Sequence, residues 1–297
     1  MRTAIIGLGL IGGSMAIDLR KAGLATSLVG VDNNRNHSAR ALELGLVDEV
    51  TSLEEAVPNA DLIITAIPVN AIKTVLIKIL DHIPETSIVI DTGSTKSMIC
   101  KAIEKHSKRS QFVAAHPLAG TENSGPDAAF SGLFSQKTNI ICEKEKSSDR
   151  ALKVAEGIFS AMEMRTIFMD PVEHDKHVAY VSHLSHVSAF LLGQTVLDME
   201  KDEKNIFNLA GSGFASTVRL AKSSPDMWAP IFEQNAEYLS QALLEYIMHL
   251  QKFQYHLMKR DVNELHRIMT SANHIRKVLE GLDVKQKPNH LVENKTT

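Results

Sequence analysis

Gly7, Gly9 and Gly12, in the run GLGLIG, are the feature that most narrows what this 297-residue chain can fold into. They stand between a short β-branched run and a segment of helical patterning, the setting in which a Gly-x-Gly-x-x-Gly pattern marks a dinucleotide-binding turn. The first glycine permits the tight turn, the second lets backbone approach a pyrophosphate, and the third lets helix and strand pack closely. The helix start then offers free N–H groups and a partial positive charge to the phosphates. Asp32, twenty residues after Gly12, is placed to accept hydrogen bonds from both ribose hydroxyls, which favours NAD over NADP. Arg35 is the opposing signal, since it could hold a 2′-phosphate, but Asp32 would repel that phosphate at close range. Glycines alone would also suit a tight turn with no ligand. Strand, helix and Asp32 together favour the cofactor.

Apolar β-rich runs alternate with longer helical stretches up to about residue 170, the pattern of a parallel sheet covered by crossover helices. Six strands are predicted: Thr3 to Ile6, Leu28 to Val31, Leu62 to Ala66, Ile88 to Ile90, Phe112 to Ala115 and Asn139 to Cys142, with Thr166 to Met169 a possible seventh. After Asp170-Pro171 the β-branched clusters stop, and Leu, Ala, Met and Phe recur at helical spacing to about Gly281, broken once around Trp228 by Pro225 and Pro230. The expected fold class is an α/β Rossmann domain, a doubly wound and mostly parallel sheet, followed by an all-α domain. The expected boundaries are 1–169, 170–284 and a loose polar tail at 285–297. A helical domain with this many apolar positions is expected to bury them in a homodimer.

In open α/β sheets ligands sit beyond the carboxyl ends of the strands, so polar residues just after each strand are the ones to inspect. Ile67, Pro68 and Val69 follow the third predicted strand and are assigned to the cofactor, with Gly7, Leu8, Gly9, Leu10, Ile11, Gly12 and Asp32. Asp91, Ser94 and Lys96 follow the fourth strand in DTGSTK; Ser94 and Lys96 also suit the N-cap and first turn of the next helix. His116 follows the fifth strand in AAHPLAGTENSG. Imidazole, with an ordinary pKa near 6.5, can take a proton from an alcohol as hydride leaves. A histidine that merely caps a strand is the alternative. The shaped loop after it, with Gly120, Thr121, Glu122, Asn123 and Ser124, favours the chemical reading.

His174, His177, His183 and His186 fall in a predicted helix, with Asp175 among them. His183 and His186 share a helix face, but His174 and His177 lie nine or more residues before His186, so one helix cannot close a tetrahedral metal site from them. No metal is expected; core or interface packing and anion binding remain open for these histidines. Arg219 sits in GSGFASTVRLAKSSPDMW with Gly211, Gly213, Lys222 and Trp228. Arg is the side chain best fitted to grip a carboxylate through two parallel hydrogen bonds, although a lone Arg on a helix is ordinarily a solvated surface residue.

GLGLIGGS, DTGSTK, HPLAGTENSG, the SHLSH of Ser182 to His186 and GSGFASTVRLAKSSPDMW together resemble the prephenate and arogenate dehydrogenases, in the right order over about Met1 to Gly281. The resemblance implies a Rossmann domain followed by an intertwined helical dimerisation domain, with the active site in the cleft between them. It implies that His116 takes the proton of the ring hydroxyl, that Ser94 lies near that hydroxyl and the nicotinamide, and that Arg219 holds a substrate carboxylate. His186, Glu122 and Trp228 match residues that shape the site or its access. His183, Thr121, Gly120 and Gly213 complete the expected substrate side. Ser212 and Ala215 stand where glycine and arginine are common in the family, and Pro230 where an acidic residue is frequent, which bears on side-chain specificity. Neither a regulatory amino-acid-binding domain after Gly281 nor a mutase domain before the first strand is expected. The implied activity is NAD-dependent oxidative decarboxylation of prephenate on the route to tyrosine, or of arogenate.

Two rivals are weaker. A β-hydroxyacid dehydrogenase should carry a catalytic lysine a few residues after a glycine-rich helix start, whereas Gly213 is followed by Phe214-Ala215-Ser216-Thr217-Val218-Arg219. A non-catalytic NAD sensor would not need His116, Ser94 and Arg219 together. A net charge of −3 offers no basic field for nucleic acid. Cys100 and Cys142 are the only cysteines, too few for a disulfide framework, which points to a reducing, cytoplasmic setting. The run Ala4 to Ile17 is interrupted by glycines and ends at Asp18, so neither a signal segment nor a membrane span is expected.

Overall fold

The computed structural model describes residues 1–203 and 205–286, with backbone alone for 281–286. The expected loose tail lies, from residue 287 on, outside the described residues. Eight strands form one sheet: β1 (Arg2–Ile6), β2 (Ser27–Val31), β3 (Glu49–Val50), β4 (Leu62–Thr65), β5 (Ile88–Asp91), β6 (Phe112–Pro117), β7 (Thr138–Cys142) and β8 (Arg165–Met169). Their order is β3-β2-β1-β4-β5-β6-β7-β8, so the chain reverses its direction of travel between β1 and β4. This is the doubly wound Rossmann arrangement. All neighbours are parallel except β6 and β7. No α-helix lies between those two strands, so no crossover carries the chain back to the starting edge. The two-residue β3 is too short to leave a periodic signal, and the sequence reading missed it.

Helices α1 (Leu10–Lys21), α2 (Arg35–Glu43), α3 (Leu53–Ala56), α4 (Val69–His82), α5 (Ser97–Ala102) and α6 (Asp149–Ala161) separate the strands. Strand residues alternate between two buried clusters, as a period of two requires. Ile5, Ile64, Ile90 and Val113 join one with Met15 and Leu19 of α1 and Ile158 of α6. Ala4, Ile6, Ile63, Val89 and Ala114 join the other with Ile72, Leu76 and Ile79 of α4. Strands covered on both faces explain the near-continuous apolar runs.

After β8 the chain is helical: α7 (Pro171–Val178), a π-helical turn Ala179–His183, α8 (Leu184–Asp202), α9 (Ser212–Val218), α10 (Pro225–Gln234), α11 (Ala236–Met258), α12 (Val262–Ala272) and α13 (Ile275–Gln286). Asp170 caps α7 by accepting from Val172 and Glu173 N–H, with Pro171 in the first turn. The break expected around Trp228 falls earlier, because Pro225 opens α10 and Trp228 lies inside it. Pro at the first helical position loses no helical hydrogen bond and so starts the helix rather than interrupting it. Trp228 and Ile231 pack into the cluster that holds α4.

The chain forms two compact units, 1–239 and the remainder from 240. The first holds the whole sheet and the helices up to α10. In the second, α12 carries Asp261 as its N-cap, accepting from Glu264 N–H. Among the described residues no helix is long and apolar enough to cross a membrane.

Candidate active site

β1, β2, β4, β5 and β6 run parallel, so the segments that follow them share one edge. In order along it come Asp32 after β2, the glycine loop after β1, Ile67-Pro68 after β4, Ser94 after β5 and His116 at the end of β6. Three strand spacings, roughly 14 Å, separate β1 from β6.

The cofactor end is made of backbone. Gly7 has φ +98°, and a Cβ there would lie 2.3 Å from Ala66 O; at Gly12 it would lie 1.9 Å from Gly7 O. Both positions exclude any side chain. At Gly9 a Cβ would meet nothing within 4 Å, which leaves space over the N-terminus of α1. That helix end has no side-chain cap. An open concavity under an uncapped helix start fits a pyrophosphate. Asp32, with its side chain 9% exposed, accepts from Leu8 N–H and Asn34 N–H, each at 2.8 Å. Its carboxylate is thereby fixed beside the loop. Arg35 is exposed in the first turn of α2, while His37 Nδ1 stands 3.8 Å from Asp32 Oδ2. The sequence reading missed His37. Pro68 is the exposed N-cap of α4, Ile67 is half-buried and Val69 buried.

The opposite end is made of side chains. His116 is 8% exposed, and its Nδ1 lies 2.8 Å from His174 Nε2; His174 Nδ1 in turn lies 2.8 Å from Asp175 Oδ1. The same carboxylate accepts from Lys96 N–H at 2.8 Å and Ser97 N–H at 2.9 Å, capping α5 from another part of the chain. Ser94 is therefore not the cap of that helix, the alternative role its position also suited. Lys96 takes the N-cap position but contributes no capping side chain. Its Nζ, fully buried, donates to the buried Asp91 instead. Ser94 itself is half-buried in the turn between β5 and α5.

Burial holds His116 well below the ordinary histidine pKa, with His174, Lys96 and His183 acting in the same direction. Burial lowers His174 too, against the hydrogen bond to Asp175. Although burial acts to raise the Asp175 carboxyl, the bonds from His174 and Ser97 keep it below its usual value. The value near 6.5 expected for His116 is corrected downward. A neutral imidazole at pH 7 is the form a base requires.

Around this cluster, His186 stacks on Trp228 with ring centroids 3.5 Å apart, and His183 meets the Trp228 edge at 5.8 Å. Asn235 Nδ2 donates to Asp175 O at 2.7 Å and lies 3.1 Å from His183 Nδ1. Burial pushes His183 down to about 4 and also lowers His186. Arg219, at the end of α9, donates to Glu122 Oε2 at 2.9 Å, tying the loop after β6 to this helix end. Thr121 Oγ1 accepts from Asn123 N–H at 3.1 Å. Gly120, Gly213 and His177 are exposed. The sequence reading missed His174 and Asp175 as site residues. Their signal was present only as a His-Asp pair inside a histidine-rich helix. Among the described residues no three His, Cys, Asp or Glu side chains are placed to hold a metal ion. Asp175 and Asn235 also line a depression of about 360 Å³ with Lys101, Gln234 and Tyr238 among others; it includes none of the strand-edge residues above.

Residues 15–168 match the family model described as the prephenate dehydrogenase nucleotide-binding domain, and residues 170–271 the one described as the prephenate dehydrogenase dimerization domain. The chain belongs to the prephenate dehydrogenase family. Among curated relatives, a prephenate dehydrogenase of Bacillus subtilis is 30% identical over 95% of this chain and 76% of its own length. A cyclohexadienyl dehydrogenase of Zymomonas mobilis is 33% identical over 87% of this chain and 89% of its own. Among solved structures, the prephenate dehydrogenase of A. aeolicus in complex with hydroxyphenyl propionate and NAD+ superposes with a TM-score of 0.85 at 30% identity, covering 94% of this chain and 98% of that one. The glycine loop directly precedes the matched nucleotide-binding part, which holds Asp32, Ser94 and His116, and Arg219, Trp228 and the histidines from His174 to His186 fall in the matched dimerization part.

Proposed function

We propose that this chain is an NAD-dependent prephenate dehydrogenase, which oxidises the ring alcohol of prephenate and releases its ring carboxylate as carbon dioxide, yielding 4-hydroxyphenylpyruvate. The observation that carries the reading is the buried, neutral His116 on the same strand edge as the open Gly9 cradle and Asp32. The glycine loop, Asp32 and the Ile67–Val69 turn would hold NAD, which when bound supplies the hydride acceptor. His116 takes the hydroxyl proton as the ring C–H bond gives up its electron pair, so a carbonyl forms. Loss of the ring carboxylate then leaves its bonding pair to complete the aromatic ring. Ser94 orients the hydroxyl, and Arg219, exchanging part of its bond with Glu122, grips a carboxylate of the substrate. Trp228 under His186 walls the site and limits water.

Arogenate is the second reading. It is favoured by the cyclohexadienyl dehydrogenase relative and by a TM-score of 0.73 to the arogenate dehydrogenase of Synechocystis at 29% identity. NADH formation measured with prephenate and with arogenate, each with NAD and with NADP, tests the proposal. NADH formation with prephenate and NAD is expected; activity with neither substrate overturns it. We further propose that the helical part, 170–284, forms a homodimer. Val181, Leu191 and Leu197 in one unit, and Met248, Leu257 and Met258 in the other, are exposed apolar side chains. A stable monomer in sedimentation at micromolar concentration would contradict this. Cys100 and Cys142 are free and buried, in keeping with a reducing cytoplasm.

A further inference from the structure

Asp175, His174 and His116 stand in line in the buried end of the site, 3%, 0% and 8% exposed. With burial keeping His174 neutral, their hydrogen bonds leave one consistent arrangement of protons. Asp175 accepts two backbone N–H groups besides the imidazole, so its carboxylate is an acceptor and His174 Nδ1 must carry the proton between them. A neutral His174 then has only a lone pair at Nε2. The 2.8 Å contact between the two rings holds one proton, and it must sit on His116 Nδ1. We propose that His174, braced by Asp175, is a positioning residue that locks His116 as the Nδ1–H tautomer, so that Nε2 is the atom that takes the substrate proton.

The arrangement rests on the reading of His116 as the base and deepens it. Without His174, Nδ1 and Nε2 of His116 would compete for the proton, and a ring protonated at Nε2 presents no lone pair to the hydroxyl. The charged and titratable groups bearing on His116 are His174 from α7, Lys96 from the turn before α5 and His183 from the π-helical turn; burial and all three disfavour a second proton on the resting ring. Asp175 does more than fix His174. By capping α5 it also ties the segment that follows Ser94 to the same carboxylate.

The test uses the full chain labelled with 15N-histidine at pH 7.5, with the His116 resonances assigned by their loss in His116→Asn. The wild type should show a protonated Nδ1 and a bare Nε2 at His116. His174→Leu should move His116 towards the Nε2–H form and lower kcat on the order of 10-fold or more with KM little changed. His174→Gln, whose side-chain oxygen can accept from Nδ1–H, should restore both. A merely structural His174 would leave the tautomer unmoved in a folded Leu variant, and that result overturns the proposal. If the Leu variant does not fold, the wild-type spectrum decides: a bare Nδ1 on His116 overturns it. A tautomer that shifts as described while His116→Asn keeps full activity would support the lock and sink the base assignment instead.

Discussion

The loop after β1 and the cluster at the end of β6 stand on one edge of one sheet, yet they are built in opposite ways. The first is the backbone of consecutive residues, and its selectivity lies in where a Cβ fits: nowhere at Gly7 and Gly12, freely at Gly9. The second is a set of side chains drawn from α7, β6 and the turn before α5, with His116 and His174 separated by 58 positions. Backbone N–H groups carry no titratable proton, so the glycine loop itself should be indifferent to pH and sensitive to volume. The proton-transfer end should be the reverse, because its function depends on which nitrogen holds a proton.

His116→Asn gives the largest expected effect. It keeps a polar side chain but removes the base, so kcat should fall by about 10²- to 10⁴-fold with KM and NAD affinity little changed. In the wild type, log kcat should rise with pH through a group below the ordinary 6.5, since burial lowers His116, and this limb should vanish in the variant. Near-normal kcat with the same acid limb would show that another group is the base. A loss of NAD affinity would show that the two ends are not independent.

Arg219→Ala should act on binding instead, raising KM about 10- to 100-fold with a smaller change in kcat. The low end of the range is the better guide, because the Arg219 side chain is 52% exposed and water screens its charge. A fall in kcat with unchanged KM would place Arg219 in the chemical step.

The glycines sharpen the contrast at the other end. Gly9→Ala should leave the melting temperature unchanged and weaken NAD binding about 10-fold, since the new methyl enters space the pyrophosphate needs. Gly12→Ala should lower stability by about 1–3 kcal/mol, because its methyl meets the fixed carbonyl of Gly7. Thermal unfolding together with NAD titration separates the two; equal destabilisation would mean that Gly9 is packed rather than open.

The last effect is acid sensitivity of the fold. His116, His174 and His183 all have folded pKa values below the ordinary 6.5, His183 near 4. The unfolded chain therefore binds protons first as pH falls. Stability is complete above about 6.5 and is lost on the way down towards the folded values, by about 1.4 kcal/mol per pH unit for each independent histidine. Melting should drop by several degrees between pH 7.5 and 5.5, and by less in His183→Gln. A melting temperature flat over that range would mean that these rings are charged in the folded state.

Much of this was legible because it is local. Short near-continuous apolar runs, GLGLIG between strand and helix, Asp32 twenty residues on and the change of composition at Asp170-Pro171 all encode contacts between near neighbours in sequence, which a pattern can record. His116 could be singled out because the end of a strand in an open parallel sheet has a defined place. The pairing of His116 with His174, the capping of α5 by Asp175 rather than by Ser94, the burial of Lys96 against Asp91 and the stacking of His186 on Trp228 left no such trace. Each depends on where the sheet and α7, α8 and α10 come to rest against one another, and that is decided by packing of the whole unit. The sequence by itself therefore determined the fold class, the cofactor loop and the identity of the candidate base; only the tertiary structure decided which nitrogen of that base is free, because a proton's place is set by the acceptor beside it, and that acceptor comes from a distant part of the chain.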